Sequence, residues 1–259
     1  MIKVAVCGAA GKMGKTVTEL LAEDNGAEIF CGVDPGVDPI TGNTVDGVKI
    51  YKSFAEMASA ETGSPDVIID FSSPAALESE LEYAVKYGVP AVIGTTGFTA
   101  KQLEKIQSAS SRVAIFETAN FSLGVNLMCK LVRQTAAILG EKFDVEIIEK
   151  HHANKADAPS GTAIMLAESV NRAFENKRTV KYGRAKTVEK RGNEICIHAV
   201  RGGTVVGEHE AGFYGKDEII TLTHSASSKR VFASGAIAAC KWLCGKPAGK
   251  YDMTDLLNF

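Results

Sequence analysis

The sequence predicts an α/β fold, a doubly wound parallel sheet, with a second, smaller α+β domain. Short β-branched runs alternate with helical stretches from Ile2 to Phe116, and strands separated by helices of about 10–15 residues indicate βαβ units. A glycine-rich turn closes the first run. After about Ser122 the alternation gives way to strands with few helices between them. The domains expected are residues 1–122 plus 233–259, and residues 123–232.

Ile2 to Cys7 is an apolar run ended by Gly8, and Gly14 to Asp24 then carries Val17, Leu20 and Leu21 at helical spacing. Glu28 to Val33, Asp66 to Phe71, Ala91 to Gly94 and Val113 to Phe116 read as strands. The helices between them are Ser53 to Ala60, Pro74 to Tyr87 and Thr99 to Ser111. A long helical stretch runs through Leu139, Asp144 to Glu149 follows as strand, and a polar loop ends at Ser160. Gly161 to Phe174 is a helix, and Glu194 to Val200, Thr204 to Phe213 and Glu218 to His224 are strands. Val231 to Leu243 returns to helix, which Lys246 to Gly249 breaks before a short tail. Asp34 to Pro39 and the glycines after it predict a surface loop.

The 259 residues are 45% hydrophobic, enough to bury a sizeable core. A formal charge of -2 gives no electrostatic reason to expect nucleic acid. No window approaches the roughly 20 apolar residues that span a bilayer, and Met1 leads straight into a strand-like run, so a cytoplasmic protein is expected. The six cysteines are scattered without a Cys-x-x-Cys pair, which predicts reduced thiols and neither disulfide nor zinc.

Gly8, Ala9, Ala10, Gly11, Lys12, Met13 and Gly14 follow the first strand and open the first helix. Gly8 permits the turn, Gly11 admits a pyrophosphate close to the backbone, and Gly14 lets helix and strand pack. The spacing is G-x-x-G-x-x-G, and a glycine turn of any α/β fold is the plain alternative. Asp34 favours the nucleotide, because it lies about 20 residues beyond Gly14 where a carboxylate accepts ribose hydroxyls. NADH is therefore expected to be used better than NADPH, with Lys12 softening the preference. Asp70, Phe71, Ser72, Ser73 and Pro74, then Gly94, Thr95, Thr96 and Gly97, each follow a strand's carboxyl end; so do Thr118, Ala119, Asn120 and Phe121. Ordinary βα turns with helix caps would look the same.

His151 to Ala163 gathers proton carriers and a cation in one loop that ends at a helix start. Ser160 suits an N-cap, and the amides of Gly161 and Thr162 with the Thr162 hydroxyl suit a carboxylate. Lys155 suits a second carboxylate or a proton donor, and His151 or His152 suits proton transfer near neutrality. A solvated, capped loop is the plain alternative. Adjacent histidines without further ligand spacing make a poor zinc shell, so no metal is expected.

The succession GAAGKMG, DFSSP, GTTGF, ANFS, HHANKADAPSGTA, RGGTVVGEH, THSASSKRVFASGA and GKYDMTDLL resembles the dihydrodipicolinate reductase family from Met1 to about Leu257. The resemblance implies a Rossmann-type first domain and a second domain whose sheet builds a homotetramer, with the reaction in the cleft between them. It implies NAD(P)H-dependent reduction of 4-hydroxy-2,3,4,5-tetrahydrodipicolinate to tetrahydrodipicolinate with loss of water, in diaminopimelate and lysine synthesis. His151 would be the proton donor and acceptor and Lys155 a second donor; His152, Ser160, Gly161 and Thr162 would bind substrate. Gly8 to Met13, Asp34, Phe71, Ser72, Gly94 to Thr96 and Thr118 to Phe121 would contact cofactor. Family members often carry a basic residue after the second-strand acid, where this chain has Pro35.

Lys177, Arg178, Lys181, Arg184, Lys186, Lys190 and Arg191 read as a solvated basic face, or else as a wall that draws in a dianion. Two other functions compete. A semialdehyde dehydrogenase needs an exposed nucleophilic cysteine, and Cys129 sits in an apolar helical pattern. A nucleotide sensor without turnover has no chemical need for His151 and Lys155.

Overall fold

The computed structural model describes residues 1–36, 44–45, 47–186 and 188–258. Val37, Asp38 and Pro39 of the expected surface loop lie outside them. The chain opens with β1 (Ile2–Cys7), α1 (Lys12–Glu23), β2 (Ala27–Val33), β3 (Thr44–Val45), β4 (Val48–Tyr51) and α2 (Phe54–Ala60). It continues with β5 (Val67–Asp70), α3 (Leu77–Tyr87), β6 (Ala91–Ile93), α4 (Ala100–Ser110), β7 (Ala114–Glu117) and α5 (Leu123–Leu139). Then come β8 (Asp144–His151), α6 (Gly161–Ala173), β9 (Thr179–Tyr182), β10 (Glu194–Arg201), β11 (Gly207–Tyr214) and β12 (Ile219–Ala226). The last elements are α7 (Arg230–Leu243), β13 (Gly249–Tyr251) and α8 (Met253–Leu256). Two compact units result, Met1–Ser122 with Lys229–Phe259, and Leu123–Ser228.

In the first unit the strands run in the order β13-β7-β6-β5-β1-β2-β4-β3, all parallel except β3, which pairs antiparallel with β4. Strand alternation sorts the side chains into two cores. Val4, Val6, Val67 and Ile69 join α1 and α7 through Val17, Leu21, Ala236 and Cys240 on one face. Ala5, Cys7, Ile68 and Ile93 join Leu77, Leu81 and Ile106 on the other. Each fully buried Val, Leu or Ile stabilises the sheet by roughly 1.5–3 kcal/mol, so both faces must stay covered. The chain moves from β1 to β2 on one side and returns to β5 on the other, so the strand order reverses at the β1/β5 pair. In open α/β sheets ligands bind beyond the carboxyl ends of the strands at such a reversal.

The second unit is a five-stranded mixed sheet in the order β12-β11-β8-β10-β9. Strands β8, β9 and β10 are parallel; β11 runs antiparallel to both β8 and β12. Val145, Ile147, Ile195, Ile197, Ala211 and Phe213 pack against Val132, Ala136, Leu166 and Val170 of α5 and α6. The doubly wound α/β sheet and the α+β second sheet are as the sequence predicts. The sequence reading contains none of β3, β4, β9 and β13, each of four residues or fewer and too short to show a period. The expected tail after Lys246 instead forms β13, a parallel edge strand on β7. No helix among the described residues is long and apolar enough to cross a membrane.

Candidate active site

Gly8 to Gly11 form the turn at the carboxyl end of β1, and Lys12 to Gly14 begin α1. Gly8 has φ +79°, and a Cβ there would lie 2.4 Å from the Phe71 carbonyl oxygen; one on Gly14 would lie 2.1 Å from the Gly8 carbonyl oxygen. Gly11 caps α1 without a side-chain hydrogen bond, and the first turn carries no acid, so the positive end of the helix has no anion of its own. Asp34 ends β2 beside this turn: its carboxylate accepts from the Ala10 amide at 3.0 Å and the Gly36 amide at 2.9 Å.

The other expected cofactor residues stand on the same edge, past β5, β6 and β7. The Ser72 amide donates to Thr95 Oγ1 at 2.9 Å and to Asp70 Oδ1 at 2.9 Å, while the Ser72 hydroxyl donates to Asp70. Burial pushes the Asp70 carboxyl up, against the opposing pull of Ser72 and Thr95. Gly94 passes between two rings: a Cβ would lie 2.4 Å from Phe71 Cε1 and 2.9 Å from Phe121 Cε2. The Thr118 hydroxyl donates to the Asn120 carbonyl, and the Ser122 amide donates to Asn120 Oδ1 at 2.9 Å. Lys12, Thr96 and Ala119 are exposed. Gly235 of α7 is a residue the sequence reading missed; a Cβ there would lie 1.9 Å from the Phe121 carbonyl oxygen.

In the second unit the same strand alternation that buries Val145 and Ile147 puts Glu149 and His151 on the helix-covered face of β8. Glu149 is fully buried and His151 nearly so. His151 Nδ1 lies 2.6 Å from Glu149 Oε2. Arg201, beside His151 on β10, grips the Glu149 carboxylate with two N–H groups at 2.8 and 2.7 Å, and the Ser160 amide donates to Oε1 at 3.0 Å. Burial by itself would raise the Glu149 pKa, but Arg201, His151 and the Ser160 amide outweigh it and hold the carboxyl below its ordinary value.

Ser160 caps α6, its hydroxyl accepting from the Ala163 amide, and the first turn of α6 carries no acid. Ser160 Oγ is also 2.9 Å from Nε2 of His209, which faces Glu149 from β11. The His151 and His209 rings meet edge to face at 5.1 Å. Burial, then the neighbouring His151, brings His209 down to about 4, so it is neutral at physiological pH. Lys155 pairs with Asp157 at 2.8 Å, and its amide donates to the His152 carbonyl. Gly161 is exposed and a Cβ there would meet nothing within 4 Å, which leaves approach to the helix start open. Glu149, Arg201 and His209 were not singled out from sequence, though Arg201 and His209 begin and end the RGGTVVGEH run.

The basic stretch is a solvated face in part, with Lys177, Lys186 and Lys190 exposed, while its other members are tied to carboxylates or buried. Lys181 pairs with Glu194, Arg184 with Glu146 and Glu194, and Arg191 with Asp144 and Glu146. Arg178 is buried over the Phe174 ring at 3.6 Å. Carboxylates on β8 and β10 neutralise Lys181, Arg184 and Arg191 where they stand. Among the described residues two clusters hold atoms of metal-ligand type within 4.8 Å, Glu146–Cys196–His198 and Cys7–Asp70–Glu80. Arg184 and Arg191 already occupy Glu146 in the first; in the second, burial pushes all three groups toward neutral forms, which are poor ligands. Burial likewise raises all six thiols, so none is an activated nucleophile.

A strand-order reversal beside a glycine turn defines the class of the first unit, a doubly wound α/β sheet of the dinucleotide-binding type, and the second unit adds a buried histidine–carboxylate pair. Residues 2–121 match the family model for the N-terminus of dihydrodipicolinate reductase, and residues 124–257 match that for its C-terminus. A 4-hydroxy-tetrahydrodipicolinate reductase of Caldanaerobacter subterraneus subsp. tengcongensis is 44% identical over 100% of this chain and 99% of its own. One from Clostridium novyi is 40% identical over 100% of this chain and 99% of its own. Among solved structures, a dipicolinate-bound dihydrodipicolinate reductase from Paenisporosarcina sp. TG-14 superposes with TM-score 0.80 at 26% identity, covering 98% of each chain. The chain belongs to the dihydrodipicolinate reductase family.

Proposed function

We propose that this chain reduces 4-hydroxy-2,3,4,5-tetrahydrodipicolinate to tetrahydrodipicolinate with NAD(P)H and loss of water, a step of diaminopimelate and lysine synthesis. The observation that carries the reading is the pairing of His151 with Glu149 at 2.6 Å beside the start of α6, whose first turn carries no acid. Its full-length relatives bear the name of this activity.

The residues of the first unit fit a dinucleotide. Gly8, Gly14 and Gly94 hold approaches that a Cβ would close, and the uncapped start of α1 suits a pyrophosphate. Gly8 to Met13 would cradle the phosphates, with Asp34 on the ribose; Phe71, Ser72, Gly94 to Thr96 and Thr118 to Phe121 would line the remainder. When bound, the cofactor supplies a hydride. The chain's own task is the matching proton: His151 holds and delivers it, and Lys155, oriented by Asp157, is the second donor. His152, Ser160, Gly161 and Thr162 would hold the dicarboxylate, which needs donors and positive potential.

The carboxylate of Asp34 has lone pairs beyond those that Ala10 and Gly36 occupy, and it repels a 2′-phosphate. NADH is accordingly the better cofactor; kcat/KM with NADPH equal to or above that with NADH would overturn this. The site lies in a cytoplasmic homotetramer built through the second sheet, whose edge strand β12 exposes Ile219 and Ile220. Light scattering that returns a monomer would remove that part. The activity itself is tested by following NADH oxidation while the substrate is generated in place by the preceding synthase. Turnover supports the reading, and nucleotide binding without turnover marks a sensor instead.

A further inference from the structure

The reading above assigns His151 the proton but leaves open how one of its two ring nitrogens is selected. The surroundings of Glu149 answer this. Its carboxylate accepts two N–H groups of Arg201, the Ser160 amide, and the contact from His151 Nδ1. A carboxylate held by an arginine fork and an amide is ionised and can only accept. The hydrogen between it and His151 must therefore sit on Nδ1. No hydrogen bond to His151 Nε2 is found among the described residues, and a Cβ on Gly207 of β11 would stand 3.1 Å from that nitrogen. Arg201 also donates to the Asp157 carbonyl at 2.7 Å, so one side chain ties the carboxylate to the loop that carries Lys155.

We propose that Glu149, clamped by Arg201, is a positioning residue that fixes His151 with its proton on Nδ1 and presents Nε2 for proton exchange, and that glycine at 207 keeps Nε2 accessible. The inference rests on the reading of His151 as the proton carrier. Glu149 touches no reacting atom; it acts through the imidazole, by fixing its orientation and tautomer. Strand geometry makes the arrangement stiff. Glu149 and His151 share a face of β8, and Arg201 stands next to His151 in register on β10. His209 faces Glu149 on β11 and stays neutral, so it adds no second cation beside the pair.

The test uses the full-length protein. Glu149→Gln preserves volume and an acceptor oxygen but removes the charge. It should lower kcat on the order of tenfold to a hundredfold, with KM for substrate and NADH changed by less than about threefold. Glu149→Asp, which keeps the carboxylate, should retain more kcat than Glu149→Gln. Gly207→Ala should lower kcat in the same way, by crowding Nε2.

The independent readout is nitrogen-15 NMR of labelled histidines in the wild type, with the His151 signals identified by their loss in His151→Gln. A neutral His151 with its proton on Nδ1 supports the proposal, and a proton on Nε2 overturns it, whether or not any Glu149 variant folds. Wild-type kcat in Glu149→Gln also overturns it. Wild-type turnover in His151→Gln instead overturns the assignment of His151 and leaves the tautomer result standing, so the two failures are distinguishable.

Discussion

Three glycines of one turn face different neighbours, and the difference decides what each does. Cβ atoms on Gly14 and Gly8 would meet backbone carbonyl oxygens at 2.1 and 2.4 Å, and backbone has nowhere to retreat. Gly8 also has φ +79°, which a side chain strains. Gly11 is looser, with its nearest neighbour at 3.1 Å and an ordinary φ of -73°. Stability and cofactor affinity should therefore separate. Gly14→Ala and Gly8→Ala should each cost roughly 1–3 kcal/mol or more by overpacking. Gly11→Ala should lose well under 1 kcal/mol of stability yet weaken NADH binding severalfold, because its methyl would stand where the proposed cradle brings the pyrophosphate close. Urea melts and NADH fluorescence titrations of the three variants check the order. If Gly11→Ala proved the least stable of them, the packing argument would be wrong.

The C-terminal ends of β8 and β10 and the N-terminal end of antiparallel β11 bring Glu149, His151, Arg201 and His209 together, and the element that sets the pH response of this cluster is β11. His209 has a folded pKa of about 4 against an ordinary value of 6.5, chiefly because it is buried. In that window the unfolded chain binds the proton and the folded chain does not. The stability that His209 contributes is thus complete above pH 6.5 and is lost as the pH falls toward 4. With about 1.4 kcal/mol per unit, close to 2 kcal/mol should be gone by about pH 5. His209→Gln cannot titrate. Its stability deficit relative to wild type, read from urea midpoints at about pH 7.5 and pH 5, should shrink by about that amount; a deficit that does not change with pH would refute the assignment. The same elements show what the sequence could reveal. Alternation and glycine turns made both sheets legible, and the cap at Ser160 followed from residue type alone. The partners of His151 were harder: Glu149 sits two residues away on the same strand face, a relation visible only once β8 is known to run through His151. Arg201 is brought next to it by strand register, which no local pattern encodes.

At the scale of the whole chain the two tasks rest on separate cores. The glycine turn, Asp34 and the Phe71–Phe121 pair stand on the doubly covered sheet of the first unit, which the chain leaves at Ser122 and re-enters at Lys229. Glu149, His151, Arg201 and His209 stand on the second sheet, above the core of α5 and α6. A side chain whose support lies entirely within one unit can be altered without repacking the other, and changes that share no partners add independently. His151→Gln should then lower kcat by about 10²–10⁴-fold, the usual reach of a general acid or base, while the NADH dissociation constant stays within about twofold of wild type. Asp34→Ala should do the reverse in part. It should raise KM for NADH and narrow the gap to NADPH, with kcat at saturating cofactor little changed, because in the proposed function the carboxylate would contact the adenosine ribose and not the reacting atoms. The pair of variants, measured by steady-state kinetics and equilibrium titration, forms a crossed comparison. A His151 variant that weakened NADH binding as much as it slowed turnover would mean that the imidazole supports the nucleotide turn, and the division of labour between the units would have to be abandoned.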